Sequence, residues 1–259
     1  MMINKQAVEA SFSKAAAQYD DFAQLQCSIG DKLFSDITLT AAPYILDMGC
    51  GTGFFSAKLR KKFTKSNISC FDLSAKMLHE TKKRVLPKVI YIQGDIDALP
   101  FCKATFDLIY SNLVVQWSAD LQGCLKQIQV CLKKGGTAYI STLLDGSLDE
   151  LKQAWKHVDN YPHTNNFIGL DLLRKQLKLA DLTIVKIRVE TRILTYSNVL
   201  QVMRSLKGIG ANHVHASRGC TLGAKSLIKT LQRGYQPFTN THGELPLTYQ
   251  VCYMELTKK

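Results

Sequence analysis

The chain has 259 residues and carries 33 Lys and Arg against 21 Asp and Glu, a formal net charge of +12. This length allows one large core or two small ones, and no apolar stretch reaches the roughly 18 residues of a membrane-spanning helix. Residues 1–17 lack the apolar segment of a signal peptide, and the eight cysteines include no C-x-x-C pair, so we expect a cytoplasmic protein with reduced thiols and no metal site.

Apolar side chains recur at helical spacing over residues 4–37, with a break near Tyr19. This pattern predicts amphipathic helices that cover a sheet. Tyr19 is a candidate to reach over a ligand pocket.

The glycine-rich stretch that follows is the strongest local signal. An apolar run over residues 44–46 is typical of a buried strand, and residues 54–63 have a helical pattern. Between them lie Asp47, Gly49, Gly51 and Gly53. A strand that turns through glycines into a helix leaves backbone N–H groups beside a ligand. A tight turn without a ligand is the alternative, but it needs only one glycine. The dinucleotide fingerprint is not met, because Phe54 stands where its third glycine would be.

Two acids follow the next two predicted strands. Asp72 comes directly after a strand over residues 68–71, and Asp95 follows a strand over residues 89–93. In doubly wound sheets an acid at the second strand tip binds a ribose diol. An acid at the third tip can accept a hydrogen bond from an adenine amine. The glycine loop with these two acids resembles the class I S-adenosylmethionine-dependent methyltransferases over roughly residues 40–145.

A fourth strand is predicted over residues 106–110, with the polar and aromatic segment 111–117 at its tip. Ligands of such sheets lie above the strand ends where the strand order reverses, so Asn112 and Trp117 should border the reacting centre. A helix over residues 120–132 should stop in a turn at residues 133–136, where glycines follow a basic last turn.

The second half of the chain is predicted to contain helices over residues 148–158, 170–179, 197–207 and 222–235, and strands over 137–143, 182–196 and 247–256. The last strand should be antiparallel. Residues 151–259 hold 16 Lys and Arg against 6 Asp and Glu, which indicates an acidic partner or substrate.

Residues 197–245 are predicted to be a basic insertion before the last strand. Its charged residues and histidines are Arg204, Lys207, His213, His215, Arg218, Lys225, Lys229, Arg233, His242 and Glu244. Cations over a cofactor pocket would capture an anionic substrate. A solvated basic face is the alternative.

Several segments, most of them in the second half, resemble one subfamily, the malonyl-acyl-carrier-protein O-methyltransferases of biotin synthesis. They are residues 12–20, 111–117, 141–143, 146–151, 204–213 and 243–251. The resemblance covers nearly the whole chain. Lys133-Lys134-Gly135 departs from it, because such families usually carry a proline before the glycines, and we expect an altered turn without an effect on chemistry.

The resemblance implies an α/β Rossmann-like fold. We expect a seven-stranded, mostly parallel sheet with an antiparallel last strand, helices on both faces, and a helical lid insertion. The expected organisation is a single domain with N-terminal cover helices (1–37), a cofactor-binding core (40–196), a basic lid (197–245) and a final strand (246–257).

The resemblance also implies an activity: methyl transfer from S-adenosylmethionine to the free carboxylate of malonyl on an acidic acyl carrier protein or on coenzyme A, leaving S-adenosylhomocysteine. The expected cofactor contacts are Asp47, Gly49, Gly51, Gly53, Asp72, Leu73, Asp95, Ile96 and Asn112. Tyr19, Asn112 and Trp117 should wall the transfer point. Arg204 and Lys207 should hold one carboxylate oxygen. We expect a monomer that binds neither nucleic acid nor membrane.

Three other functions share part of this pattern. A methyltransferase acting on a quinone precursor would need a more apolar lid. An amine-methylating nucleic-acid enzyme would carry two prolines after Asn112, where Leu113 and Val114 stand. A binding module without catalysis is the third.

Overall fold

A computed structural model describes residues 3–85, 88–211 and 224–259. Its seven-stranded sheet has the order β3-β2-β1-β4-β5-β7-β6. The strands are β1 (Tyr44–Met48), β2 (Asn67–Asp72), β3 (Val89–Gln93), β4 (Phe106–Asn112), β5 (Leu132–Leu144), β6 (Thr183–Tyr196) and β7 (Leu245–Thr257). The first five strands pair in parallel, and β7 lies antiparallel between β5 and β6. The predicted fold class is therefore confirmed.

Helices cover both faces of the sheet. They are α1 (Lys5–Ala15), α2 (Tyr19–Phe22), α3 (Gln24–Ser35), α4 (Phe54–Lys62), α5 (Ala75–Arg84), α6 (Leu121–Cys131), α7 (Asp149–Trp155), α8 (Leu170–Leu179), α9 (Val199–Gly208) and α10 (Ala224–Tyr235). Successive strand residues point to opposite faces, so Ile45 joins a core with α3, α4 and α9, whereas Leu46 joins a second core with α6 and α8.

The strand order places β1 next to both β2 and β4. The chain therefore reverses its direction of winding between β1 and β4, as predicted, and a crevice opens above their carboxyl ends. The break predicted near Tyr19 is also present, since a short 3-10 turn at Ala16–Gln18 separates α1 from α2.

The turn predicted at residues 133–136 is wrong. Helix α6 ends at Cys131, and β5 begins at once and contains Lys133, Lys134 and both glycines. Gly135 donates to the Lys258 carbonyl at 2.8 Å, and Lys258 donates to the Gly136 carbonyl at 3.2 Å. Residues 133–136 are instead an irregular stretch of β5, because Phe106 of β4 pairs with Leu132 and Leu108 pairs with Thr137, and Gly135 has a φ of +76°.

Three smaller features of the structure bear on the elements predicted from the sequence. Helix α7 ends at Trp155, earlier than predicted. The first two residues of the predicted helix 222–235 lie outside the described residues. In the described part of the chain, no helix has the length and apolar character needed to cross a membrane.

Candidate active site

The loop between β1 and α4 is fixed to the end of β2. The backbone N–H groups of Gly49 and Cys50 donate to the carbonyl of Phe71 at 2.7 and 3.0 Å. The three glycines have φ angles of +75°, +56° and +81°, which favour glycine. A Cβ on Gly49 would lie 2.3 Å from the Val114 side chain, whereas a Cβ on Gly51 would meet no atom within 4 Å. Gly49 is therefore required by packing, and Gly51 has open space beside it.

This contrast gives a testable pair of variants. Gly49→Ala is expected to reduce the free energy of unfolding by about 2 kcal/mol or more, because it adds overpacking to a left-handed backbone. Gly51→Ala is expected to lose roughly 1 kcal/mol, since only the backbone is strained. Urea denaturation measures both. Equal losses would contradict the assignment of Gly49 to packing against Val114.

A small cavity of about 80 Å³ lies above the glycine loop, and we call it the inner cavity. Seven of the nine predicted cofactor residues line it: Gly49, Gly51, Asp72, Leu73, Asp95, Ile96 and Asn112. Tyr19 and Trp117, two of the residues predicted to wall the transfer point, line it as well. The structure therefore gathers most of the predicted site around one space.

Asp72 is the central carboxylate of the inner cavity. One oxygen accepts the Gly51 N–H at 2.9 Å, and the other accepts the Ser74 N–H at 2.8 Å. Burial raises the pKa of Asp72 to about 6, although these hydrogen bonds oppose the shift. Asp72 is thus ionised at neutral pH and protonates in mildly acidic solution.

Asp47 and Gly53 lie beneath the loop and do not line the inner cavity. The Asp47 side chain is 2% exposed and accepts a hydrogen bond from the Ser56 hydroxyl. Burial raises the pKa of Asp47 to about 7. A Cβ on Gly53 would lie 2.7 Å from the side chain of Thr81, so this glycine serves close packing against α5.

Asp47 should make the stability of the protein depend on pH. The native state binds this proton more tightly than the unfolded chain, in which the pKa is about 4. The contribution of Asp47 to the free energy of unfolding therefore decreases as the pH rises from about 4 to about 7. Asp47→Asn is expected to raise that free energy at pH 8 by up to about 4 kcal/mol, and by less at pH 5. Urea denaturation at both pH values checks this, and an equal effect at both would contradict it.

Helix α1 covers the side of the inner cavity that lies at the tip of β3. The Lys5 ammonium lies 2.5 Å from an Asp95 oxygen and 2.8 Å from an Asp97 oxygen. Lys5, Val8 and Phe12 line the inner cavity from this helix. The carboxylate predicted for adenine is therefore paired with a lysine of the N-terminal cover.

Asn112 connects the end of β4 to the N-terminal helices. Its amide nitrogen donates to the Gln26 carbonyl at 3.0 Å, and its amide oxygen accepts the Ser141 hydroxyl at 2.7 Å. The next residue, Leu113, has a φ of +57°. This backbone conformation is uncommon for leucine, and Leu113 lies where two cavities meet.

The second cavity, of about 290 Å³, is called the outer cavity here. It shares four wall residues with the inner cavity: Phe12, Tyr19, Leu113 and Trp117. Phe12 and Trp117 pack edge to face with ring centroids 5.4 Å apart. Most of the other wall residues are apolar, including Leu143, Leu148 and Leu206. The two spaces form an adjacent pair separated by a thin aromatic and aliphatic wall.

His163 is the one histidine among the described residues that line the outer cavity, and no described lysine or arginine lines it. Its ring stacks on Trp155 with centroids 3.6 Å apart, and its Nε2 lies 2.7 Å from an Asp159 oxygen. Slight burial tends to raise the pKa of Asp159, but the hydrogen bond to His163 lowers it overall. Sequence reasoning placed His163 in a loop without a role, and no local pattern marks it.

Arg204 and Lys207 lie elsewhere. Both are exposed, and together with Lys14 they line a separate surface cleft. Met203 and Leu206 of α9 line the outer cavity, whereas Arg204 and Lys207 do not. The structure does not bring the two predicted carboxylate ligands to the transfer point. Three further basic residues of the predicted lid, His213, His215 and Arg218, lie outside the described residues.

Comparisons with known proteins agree with this architecture. A family model described as a methyltransferase domain matches residues 46–140. A malonyl-[acyl-carrier protein] O-methyltransferase of Serratia marcescens is 37% identical over 97% of this chain and 95% of its own length. The biotin biosynthesis bifunctional protein BioHC of Cellvibrio japonicus is 34% identical over 99% of this chain, which spans 51% of that protein.

Among solved structures, the geranyl diphosphate C-methyltransferase of Streptomyces coelicolor, solved with S-adenosyl-L-homocysteine, has a TM-score of 0.57. It is 15% identical, and the match covers 91% of this chain and 80% of that one. At this identity the likeness shows the fold alone. The near full-length similarity to curated relatives decides the family: the chain belongs to the malonyl-[acyl-carrier protein] O-methyltransferases.

Proposed function

We propose that this chain transfers a methyl group from S-adenosylmethionine to the free carboxylate of a malonyl thioester carried by an acyl carrier protein, a reaction of biotin synthesis. The observation that carries the proposal is the pair of adjoining cavities. One contains the glycine loop and acidic strand tips, and the other is largely apolar with a single described histidine.

The residues of the inner cavity suit S-adenosylmethionine. Gly51 has open space on its Cβ side, so a ligand can approach the backbone closely. Asp72 has free lone pairs that can accept hydrogen bonds from ribose hydroxyls. Asp95 and Ile96 line the same cavity, where the adenine ring would bind next to that ribose. We assign these contacts, together with Gly49, Leu73 and Asn112, to the cofactor. Asp47 and Gly53 would support the loop from below.

The acceptor needs no general base. A carboxylate has a pKa near 4 and is already a nucleophile at neutral pH. Bound S-adenosylmethionine supplies a methyl group activated by a sulfonium. The chain has to align the carboxylate with that methyl group and exclude water, since both opposite charges diminish during transfer. Phe12, Leu113 and Trp117 provide the apolar wall, and Tyr19 stays neutral because burial raises its pKa.

His163 is our candidate for the grip on the malonyl carboxylate. A charge-assisted hydrogen bond to one oxygen would leave the other free to attack. Asp159 and the stacked Trp155 ring hold the imidazole in place. In this proposal His163 takes the role that sequence reasoning gave to Arg204 and Lys207.

We further propose that the described residues form one domain, in which the described residues of the segment 197–245, namely 197–211 and 224–245, act as the lid. Helix α9 supports this, because Met203 and Leu206 line the outer cavity. The basic half of the chain suits an acidic carrier protein. The monomeric state and the cytoplasmic location stay predictions.

Methyl-labelled S-adenosylmethionine tests the function. The purified chain is incubated in parallel with malonyl carrier protein, malonyl-coenzyme A, a quinone precursor and RNA. We expect label on the malonyl substrates as a base-labile methyl ester. Label on the quinone or RNA alone would overturn the proposal, and so would a lack of turnover with every acceptor.

A further inference from the structure

The surface cleft that contains Arg204 and Lys207 has a volume of about 490 Å³ and gathers basic side chains from two helices. Lys14 comes from the last turn of α1, and Arg204 and Lys207 come from α9. We call it the basic cleft. Phe22 and Gly208, which also line it, pack closely, since a Cβ on that glycine would lie 2.2 Å from the phenyl ring.

The three cations of the basic cleft form no ion pair with any Asp or Glu among the described residues. Other exposed lysines of this chain do pair: Lys83 with Glu80, and Lys186 with Asp36. Positive charge gathered from two separate helices and left unneutralised attracts an anionic partner.

The helix geometry decides which kind of anion fits. Lys14 and Lys207 both stand in the last turn of their helices. The backbone there presents carbonyl groups and the negative end of the helix dipole. A compact phosphate, which is usually bound by backbone N–H groups at a helix N-terminus, would find no such donors at these two helix ends. Carboxylates on a protein surface, which need to meet only the tips of long side chains, are favoured.

The basic cleft also lies close to the outer cavity. Helix α9 separates it from the outer cavity, and a helix with its side chains is roughly 10 Å thick. A partner docked in the cleft would thus lie within reach of that cavity. The other basic row, Lys225, Lys229 and Arg233 on α10, is exposed too, but no α10 residue lines the outer cavity.

We propose that the basic cleft docks the acidic surface of the carrier protein and so positions the malonyl arm at the outer cavity. This inference rests on the proposed function and adds to it the place where the partner binds. Lys14, Arg204 and Lys207 then recognise the carrier protein and take no part in methyl transfer.

Charge reversal separates docking from chemistry. The double variant Lys14→Glu/Lys207→Glu is compared with wild type on three acceptors: malonyl carrier protein, malonyl-coenzyme A and malonyl-pantetheine. We expect KM for the carrier substrate to rise roughly tenfold or more, and to depend less on salt than in wild type. Values of kcat/KM for the two small acceptors should stay within about twofold of wild type. Thermal unfolding confirms that the variant is folded.

The matched control is Lys225→Glu/Lys229→Glu, which makes the same charge change on α10. Docking at the basic cleft is overturned if this control raises KM for the carrier substrate as much as the cleft variant does. It is also overturned if the cleft variant leaves that KM unchanged, or if malonyl-coenzyme A suffers equally while malonyl-pantetheine does not, since that result would indicate phosphate binding. A wild-type chain inactive on all three acceptors would instead refute the proposed function.

Discussion

Asp72→Asn is expected to weaken the binding of S-adenosylmethionine roughly 10- to 100-fold, the usual contribution of hydrogen bonds to a charged group. The fold should survive, because the carboxylate is buried and its pKa is already raised to about 6. Asparagine keeps one oxygen that can accept a backbone N–H, but it loses the charge and the second acceptor. Isothermal titration calorimetry measures the affinity.

The pKa of Asp72 adds a second readout. Wild-type affinity for S-adenosylmethionine should fall as the pH is lowered through about 6, since the protonated carboxyl is a weaker acceptor. The Asp72→Asn variant should lack that step. Asp36→Asn is the control, because Asp36 pairs on the surface with Lys186 and Arg188. Unchanged affinity in Asp72→Asn would remove Asp72 from the cofactor site.

A large loss of activity is also expected when His163 is replaced. His163→Ala should lower kcat/KM for the malonyl substrate about 10- to 100-fold, because a charge-assisted hydrogen bond to the carboxylate is removed. The affinity for S-adenosylmethionine, measured by calorimetry, should change little, since His163 lines the outer cavity and not the inner one.

A second substitution of His163 separates the effect of its hydrogen bond to the carboxylate from the effect of its stacking on Trp155. His163→Phe can still stack on Trp155 but cannot donate, so its loss should match that of alanine. Recovery of activity with phenylalanine would show that only the stacking matters and would refute the carboxylate grip. His157→Ala is the matched control, because His157 is an exposed histidine just beyond α7 and does not line either cavity.

The cofactor-binding residues could be predicted because the sequence patterns that mark them are local. Asp72 ends the short strand β2, whereas the glycines and Asp95 follow β1 and β3 within a few residues. Parallel strands bring their carboxyl ends to one edge of the sheet. Once these strands are recognised, Asp72 and Asp95 are expected at the same edge of the sheet. Asp47 shows the limit of this reasoning, since it lies near the same strand end but beneath the loop.

The acceptor half could be predicted only in part. His163 comes from an irregular loop and reaches the outer cavity through tertiary packing against Trp155, which no sequence periodicity reports. The exposed position of Arg204 and Lys207, in contrast, could have been predicted from the sequence pattern of α9. Val199, Val202 and Leu206 are the buried residues of α9, and their helical spacing leaves 204 and 207 on the polar side.

The pairing of Lys5 with Asp95 and Asp97 bears on how the cofactor is admitted. One oxygen of Asp95 accepts hydrogen bonds from the Lys5 ammonium and from the Asp97 N–H, so an adenine amine would have to use the other oxygen or displace the lysine. In the second case, cofactor binding would exchange the ion pair between α1 and the tip of β3 for a contact with adenine. A higher ionic strength weakens the Lys5 ion pairs and would therefore favour adenine in this exchange.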